Sequence, residues 1–295
     1  MDLPRILLIG KNGQVGWELR RALAPMAQVE GVDFPEIDLS KADSIRQWVR
    51  ETRPRVVINA AAYTAVDKAE MDPDQAMKIN GEAPGILAEE ARGAGALLVH
   101  YSTDYVFDGA KSGPYLETDA PNPLNVYGCS KLAGDLAVQA VGGPHLIFRL
   151  CWVYGARGQN FLLTILRLAR QRERLRVVND QLGAPTWSRL IAQATTLALR
   201  QTLAEPDPAS MSGLYHLAAS GLTSWHGFAG KIVQLMPAEG RTCREVQAIC
   251  TAEFPTPAKR PANSLMSCEK LERVFHLRLP PWEQCLRMVL EEAKP

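Results

Sequence analysis

A strand-like run, a glycine-spaced turn and a helical pattern follow one another at the start of the chain. Ile6-Leu7-Leu8-Ile9 is apolar enough for a buried strand, and glycines follow at positions 10, 13 and 16. Val15 to Leu23 then has the apolar spacing of a helix. A strand that enters a helix through such a turn presents backbone N–H groups and the positive helix end to an anion. This order predicts a dinucleotide-binding turn; a glycine-rich turn without a ligand is the alternative.

Apolar runs of strand length alternate with helical patterns through the first 150 residues. Such alternation predicts right-handed crossovers and a parallel sheet with helices on both faces. The predicted strands are Ile6–Ile9, Val29–Asp33, Val56–Asn59, Leu97–Tyr101 and His145–Leu150, and the predicted helices are Val15–Leu23, Ala42–Glu51, Pro73–Arg92 and Leu124–Ala140.

Beyond Trp152 the pattern is less regular, and five prolines lie between Pro255 and Pro281. We expect an α/β fold: a Rossmann-type doubly wound parallel sheet with a smaller mixed α/β C-terminal substrate lobe. The expected dinucleotide-binding domain spans 1–150, with a contribution from 185–220. The expected lobe spans 151–184 and 221–295.

Charge and composition exclude several classes of protein. The 295 residues carry a net charge of +1 and 46 % are hydrophobic, which suits a globular core and gives no basic surplus for nucleic acid. Six scattered cysteines without C-x-x-C spacing favour reduced thiols over a zinc or redox motif. No apolar stretch reaches the ~18 residues of a membrane span, and no signal-peptide pattern precedes the first strand. We expect a cytoplasmic monomer or homodimer that binds neither nucleic acid nor membrane.

An aspartate follows the second predicted strand. Asp33 lies where a carboxylate can accept a hydrogen bond from the ribose 2′-hydroxyl of NAD and repel the 2′-phosphate of NADP. Lys11 is near enough in the chain to reduce that repulsion, so use of either NADH or NADPH is expected. A loop aspartate without a ligand is the alternative.

Two motifs carry proton chemistry. Tyr101-Ser102-Thr103-Asp104-Tyr105 ends the fourth predicted strand, at the edge of the sheet where ligands bind. Tyr127 and Lys131 are four residues apart in a predicted helix, so they share one face. A phenol has a pKa near 10, which a nearby lysine cation lowers. The pair therefore predicts a general acid for carbonyl reduction; an ordinary helix-surface pair is the alternative.

Together these features resemble the extended short-chain dehydrogenase/reductase family, and within it the dTDP-4-dehydrorhamnose reductases. The resemblance covers most of the chain and is strongest to about residue 190. The stretches that carry it are Gly10–Leu19, Asn59–Glu70, His100–Phe107, Pro123–Gly128, Trp152–Gly155 and Asn179–Thr186.

The resemblance implies reduction of the C4 ketone of dTDP-4-dehydro-6-deoxy-L-mannose by NADPH or NADH, the last step of dTDP-L-rhamnose synthesis. It implies that Tyr127 donates the proton, that Lys131 lowers the pKa of Tyr127 and binds the nicotinamide ribose, and that Thr103 orients the carbonyl. Asp104 and Trp152 would also contact the nucleotide sugar. The other residues implied to bind the cofactor are Gly10, Asn12, Gly13, Gln14, Val15, Asp33, Asp38, Leu39, Ala60, Ala62, Tyr63, Thr64 and Tyr101.

Several positions depart from the family pattern or leave a choice open. Leu150 and Cys151 stand where relatives usually carry hydroxyl residues, which implies a more apolar pocket wall. Glu18 fits a magnesium site that some members have, but Arg189 stands where a carboxylate is expected, so we predict no metal site.

Two further residues have open assignments. Asn80 would serve either proton relay or helix packing. Arg260 would be either a diphosphate ligand or an ordinary loop cation.

Other functions remain open on the same scaffold. One is an epimerase, or a reductase of another nucleotide sugar. Another is a non-catalytic regulatory partner, as in the beta subunit of methionine adenosyltransferase, which resembles this family. Catalysis is favoured over a regulatory role because the three catalytic candidates are intact: Tyr127, Lys131 and Thr103. The 4-keto-sugar reductase is favoured by the stretches Asp104–Phe107 and Asn179–Thr186.

Overall fold

Six parallel strands form the central sheet of the computed structural model, which describes residues 3–292. Short strands pair in three smaller sheets elsewhere in the described chain. In chain order the strands are β1 (Arg5–Ile9), β2 (Gln28–Val32), β3 (Val56–Asn59), β4 (Leu97–Thr103), β5 (His145–Leu150), β6 (Val153–Tyr154), β7 (Arg174–Val178), β8 (Leu182–Gly183), β9 (Thr186–Trp187), β10 (Gly213–Leu217), β11 (Thr223–Ser224) and β12 (Glu245–Ile249).

The helices flank the sheet and build the lobe. Short 3-10 turns at Asp104–Val106, Pro208–Met211 and Thr251–Glu253 and a π-helical turn at Lys78–Glu82 supplement them. The α-helices are α1 (Gln14–Leu23), α2 (Ala42–Thr52), α3 (Val66–Ala69), α4 (Pro73–Met77), α5 (Ala83–Gly93), α6 (Val126–Val141), α7 (Phe161–Gln171), α8 (Ser188–Ala204), α9 (Trp225–Leu235), α10 (Glu269–Phe275) and α11 (Trp282–Glu292).

The strand order is β10-β5-β4-β3-β1-β2, so the chain reverses direction across the sheet between β1 and β3. The parallel doubly wound sheet is confirmed, and all five strands predicted in the first 150 residues lie within two residues of their predicted bounds. In open parallel sheets the crevice at such a reversal is the usual ligand site, because the loops at the strand ends diverge there.

Alternate residues along the strands pack on opposite faces of the sheet. Ile6 and Leu8 of β1 join one apolar cluster with α1, α8 and α10. Leu7 and Ile9 join a second cluster with α2, α5 and α6. Both faces are therefore buried, and this explains why the strands read as continuous apolar runs rather than alternating ones.

The lobe has a core of its own. Apolar side chains of α7, α9 and α11, including Leu162, Phe228 and Leu286, form one buried cluster. Later parts of the chain also return to the central sheet. The strand β10 pairs with β5, and Leu271 and Phe275 of α10 pack in the apolar cluster on one face of that sheet. The helices α9, α10 and α11 were not predicted from the sequence.

Candidate active site

A cleft of about 720 Å³ opens at the carboxyl ends of β1, β3, β4 and β5. Predicted site residues that lie more than 100 positions apart in the sequence meet in this cleft. Fifteen of the predicted site residues line it: Gly10, Asn12, Gly13, Gln14, Val15, Asp33, Ala60, Ala62, Thr64, Tyr101, Thr103, Asp104, Tyr127, Lys131 and Trp152.

The glycine turn is closely packed against the end of β3. Gly10 has φ of +87°, and a Cβ added there would lie 2.6 Å from the backbone nitrogen of Ala61. A Cβ on Gly16 would lie 2.0 Å from the carbonyl oxygen of Gly10. Only glycine permits this contact, and it brings the N-terminus of the ten-residue helix α1 to the floor of the cleft. The turn therefore fits the diphosphate of a dinucleotide, which such helix ends bind.

Asp33 follows β2 at one end of the cleft. Its Oδ2 accepts a hydrogen bond from the backbone N–H of Asn12 at 3.0 Å, and its Oδ1 accepts one from Phe34 at 2.9 Å. These bonds fix the carboxylate beside the glycine turn. Lys11 pairs with Glu36 at 2.5 Å, and the ion pair lowers the pKa of Glu36.

Three predicted cofactor residues lie outside the main cleft. Asp38 and Leu39 line an adjoining hollow of about 360 Å³, which shares Asp33 and Ala62 with the cleft. The backbone N–H of Tyr63 donates to Asn80, and its hydroxyl lies 3.4 Å from Asp72. The hollow is placed to accept a group that extends past Asp33, whereas Tyr63 lines neither space.

Tyr127 and Thr103 meet inside the cleft. Asn125 accepts a hydrogen bond from Gly128 at 2.8 Å, and this cap starts α6 one residue before Tyr127. The Thr103 hydroxyl donates to Asp104 at 3.0 Å, and its proximity to the Tyr127 phenol acts to lower the pKa of that phenol. Burial raises the pKa of Tyr127 to about 12. The phenol therefore stays protonated at neutral pH.

Lys131 lies one helical turn beyond Tyr127 and is 1 % exposed. Its Nζ donates to the carbonyl oxygen of Tyr101 at 2.6 Å and lies 3.3 Å from Nε2 of His100. Burial lowers the pKa of Lys131 to about 8, while the negative charge of Asp135 raises it. The lowering of the Tyr127 pKa by Lys131 stays a prediction; in this structure burial is the largest influence on that pKa.

Asp104 is the buried carboxyl group of the site. It is 3 % exposed, and burial raises its pKa to about 6 although the Thr103 hydroxyl donates to its Oδ1 at 3.0 Å. Cys151 lies behind the cleft with no exposure, whereas Leu150 lines it. Of the two positions expected to make the wall more apolar, only Leu150 therefore reaches the cleft.

The lobe adds Gln159 and Trp225 to the cleft wall, and the sequence indicated neither residue. The indole of Trp152 stacks on that of Trp225 with 3.6 Å between ring centroids and 8° between planes, and both line the cleft with Gln159. Tyr105 also lines it, with its ring edge-on to Tyr127 at 5.8 Å. No local motif marks Trp225; its place depends on strand pairing far from the glycine turn.

The residues with open assignments are engaged within the protein. Asn80, in the π-helical turn, bonds both backbone groups of Tyr63 and the Ser130 hydroxyl. Arg260 makes a bidentate pair with Asp67 at 2.8 and 3.1 Å. These contacts support the packing alternative for Asn80 and account for the charge of Arg260.

Arg189, the residue predicted to exclude a metal ion, forms ion pairs with two glutamates. Arg189 donates to Glu18 at 3.1 Å and also pairs with Glu292. Across residues 3–292, no three His, Cys, Asp or Glu side chains group as metal ligands. In the same residues, no helix combines the length and the apolar character needed to cross a membrane.

Comparisons with known proteins match nearly the whole chain. Residues 4–294 match the family described as RmlD substrate binding domain. The chain is 49 % identical to the dTDP-4-dehydrorhamnose reductase of Burkholderia thailandensis, over 98 % of this chain and 100 % of that protein. It is 47 % identical to the enzyme of the same name from Escherichia coli K12, over 97 % of each.

A solved structure matches at the level of the whole fold. The crystal structure of dTDP-4-dehydrorhamnose reductase from Bacillus anthracis in complex with NADP superposes with a TM-score of 0.89. It is 34 % identical, and the match covers 98 % of this chain and 99 % of that one.

Proposed function

The chain belongs to the RmlD substrate binding domain family, and we propose on this basis that it reduces dTDP-4-dehydrorhamnose to dTDP-L-rhamnose with NADPH or NADH. The observation that carries the proposal is the single cleft in which the glycine turn meets Tyr127, Thr103 and Lys131. A dinucleotide site and a proton donor that share one cavity are what carbonyl reduction requires. The protein is expected in the cytoplasm, as a monomer or homodimer.

The cofactor half of the cleft is formed by backbone and small side chains. Gly10, Gly13 and the N-terminus of α1 would hold the diphosphate, and Asp33 would accept from the adenosine ribose. Lys131 donates one of its three hydrogens to the carbonyl of Tyr101, which leaves donors for the nicotinamide ribose. When bound, the nicotinamide supplies the hydride.

The substrate half supplies the proton. Thr103 would orient the C4 carbonyl beside Tyr127, because both side chains line the same cleft. The Tyr127 proton would pass to O4 as negative charge develops there. General acids placed in this way are typically worth about 10²–10⁴ in rate. Asp104 and Trp152 would contact the sugar from the same wall of the cleft.

One assay tests the proposal. Purified protein is mixed with the dTDP-4-keto sugar and either NADPH or NADH, and loss of nicotinamide absorbance is followed together with the appearance of dTDP-L-rhamnose. Oxidation matched by product formation is expected. A redox-neutral change of the sugar would instead indicate an epimerase, and absence of any reaction with both cofactors would favour the regulatory alternative.

A further inference from the structure

The backbone of Trp152 has a conformation that is unfavourable for a residue with a bulky side chain. Its φ is +43°, a left-handed value that is uncommon for a bulky residue. Backbone strain of this kind persists only where the surroundings fix it, and it is often found at ligand sites. The surroundings of Trp152 therefore indicate what fixes it.

Two paired strands of the lobe enclose the Trp152 indole. Gly183 of β8 lies opposite Thr223 of β11 in an antiparallel pair. A Cβ added to Gly183 would lie 2.6 Å from Cε2 of Trp152, so the ring lies directly on this glycine. Trp225 follows β11 by one residue and stacks on the same indole at 3.6 Å. We call Trp152, Gly183 and Trp225 the indole clamp.

The clamp is anchored in the lobe rather than in the sheet. The Ser224 hydroxyl donates to Asn179 at 2.7 Å and accepts from Gly227 at 3.0 Å, which fixes the start of α9 beside Trp225. The Trp225 ring also lies 4.6 Å from that of Phe161. The position of Trp152 at the cleft is thus set by residues from three separate parts of the chain.

We propose that Trp225 is a positioning residue: with Gly183 it holds Trp152 as a wall of the sugar subsite and so sets the affinity for the sugar portion of the nucleotide sugar. This inference rests on the proposed function for the identity of the ligand. Trp152 and Trp225 share the cleft with Tyr127 and Asp104, against which the reacting sugar would lie, whereas the glycine turn would serve the cofactor.

Binding measurements separate the sugar from the nucleotide. Titration calorimetry with dTDP-L-rhamnose and with dTDP is performed on Trp225→Leu and Trp225→Phe, with NADPH affinity as a second readout. For Trp225→Leu we expect dTDP-L-rhamnose affinity to fall roughly tenfold with dTDP and NADPH affinities unchanged, whereas Trp225→Phe, which keeps an aromatic ring, should stay within about threefold of the parent. Unchanged dTDP-L-rhamnose affinity in Trp225→Leu, or an equal loss of dTDP affinity, would overturn the proposal.

A second variant keeps Trp225 in place. Gly183→Ala should displace the Trp152 ring and produce the same loss for dTDP-L-rhamnose alone, because the new Cβ takes the space of the indole. Normal sugar binding by a folded Gly183→Ala protein would contradict the clamp.

The stacking itself has an optical signature that does not depend on activity. Two indoles at 3.6 Å couple their transitions, so circular dichroism should show an exciton couplet that Trp225→Phe abolishes and Trp48→Phe, a control on α2, retains. A couplet with sugar-specific binding but no nicotinamide oxidation would refute the proposed reaction and leave the clamp standing. A couplet that persists in Trp225→Phe would refute the clamp whatever the activity.

Discussion

At the scale of single residues, burial rather than the neighbouring lysine decides the charge of the proton donor. The sequence motif predicts a Tyr127 phenol whose pKa is lowered by Lys131, yet the surrounding protein raises that pKa to about 12. A protonated phenol is the form that reduction needs, since the proton must be present when O4 becomes basic. The polar neighbours of Tyr127 therefore serve to aim the proton.

Replacing the phenol tests this role. Tyr127→Phe should lower kcat by about 10²–10⁴ while leaving NADPH affinity near the parent value, because only the proton donor is lost. Steady-state rates and a cofactor titration measure the two effects. The control is Tyr115→Phe, which removes a hydroxyl that donates to Asp108 outside the cleft and should retain the parent rate. A Tyr127→Phe enzyme of parent activity would show that another group protonates O4.

Asp104 should destabilise the folded protein at neutral pH. Its pKa rises from 3.8 to about 6 on folding, so between these values the native state binds a proton that the unfolded state has lost. Stability therefore falls as the pH rises through this window, by an amount on the order of 3 kcal/mol. Asp104→Asn should flatten the dependence and raise the free energy of unfolding at pH 7, while weakening sugar binding.

Urea unfolding at several pH values measures this effect. Asp108→Asn is the matched control with the opposite sign, since hydrogen bonds from Ala110, Asn122 and Tyr115 lower the Asp108 pKa in the folded state. Its loss should reduce stability at pH 7. An Asp104→Asn protein less stable than the parent at pH 7 would contradict the assignment.

At the scale of elements, the sequence predicted what local chemistry determines. The run from β1 through the glycine turn into α1, and the pairing of Tyr127 with Lys131 on α6, depend on neighbours within a few residues. The π-helical turn that interrupts the helix predicted over Pro73–Arg92 and the arrival of Trp225 depend on distant packing and strand pairing. Those contacts leave no periodic trace in the sequence, which is why the cofactor half of the cleft was predictable and the Trp225 side of it was not.

The glycine turn offers a prediction within one element. Gly16→Ala should abolish NADPH binding and lower stability, because its Cβ would overlap the carbonyl of Gly10. In Gly13→Ala the new Cβ would lie 3.4 Å from the same oxygen, so the protein should still fold, and any loss should be confined to NADPH affinity. Gly230→Ala in α9, with nothing within 4 Å, should gain about 0.5–1 kcal/mol. Thermal unfolding and a NADPH titration distinguish the three, and equal behaviour of Gly16→Ala and Gly230→Ala would refute the overlap.

At the scale of the whole molecule, Arg189 of α8 links the helices α1 and α11. It pairs with Glu18 of α1 and Glu292 of α11, and Glu18 is only 7 % exposed. Arg189→Ala should lower Tm by roughly 5 °C, because it leaves a largely buried carboxylate without its partner. Arg200→Ala, at an exposed position of the same helix, should leave Tm within about 1 °C. Equal Tm values for the two variants would show that the Arg189–Glu18 ion pair does not stabilise the folded protein.

The two cores of the molecule are interleaved along the chain. Segments of the sheet and of the lobe alternate from β5 to α11, so each core is assembled from pieces that are distant in sequence. Recombination between homologous genes at a single crossover point would therefore join halves of both cores that had not been matched to each other. The sugar preference of such a protein is not modular: transplanting it requires the exchange of several short segments at once, including those that carry Gly183 and Trp225.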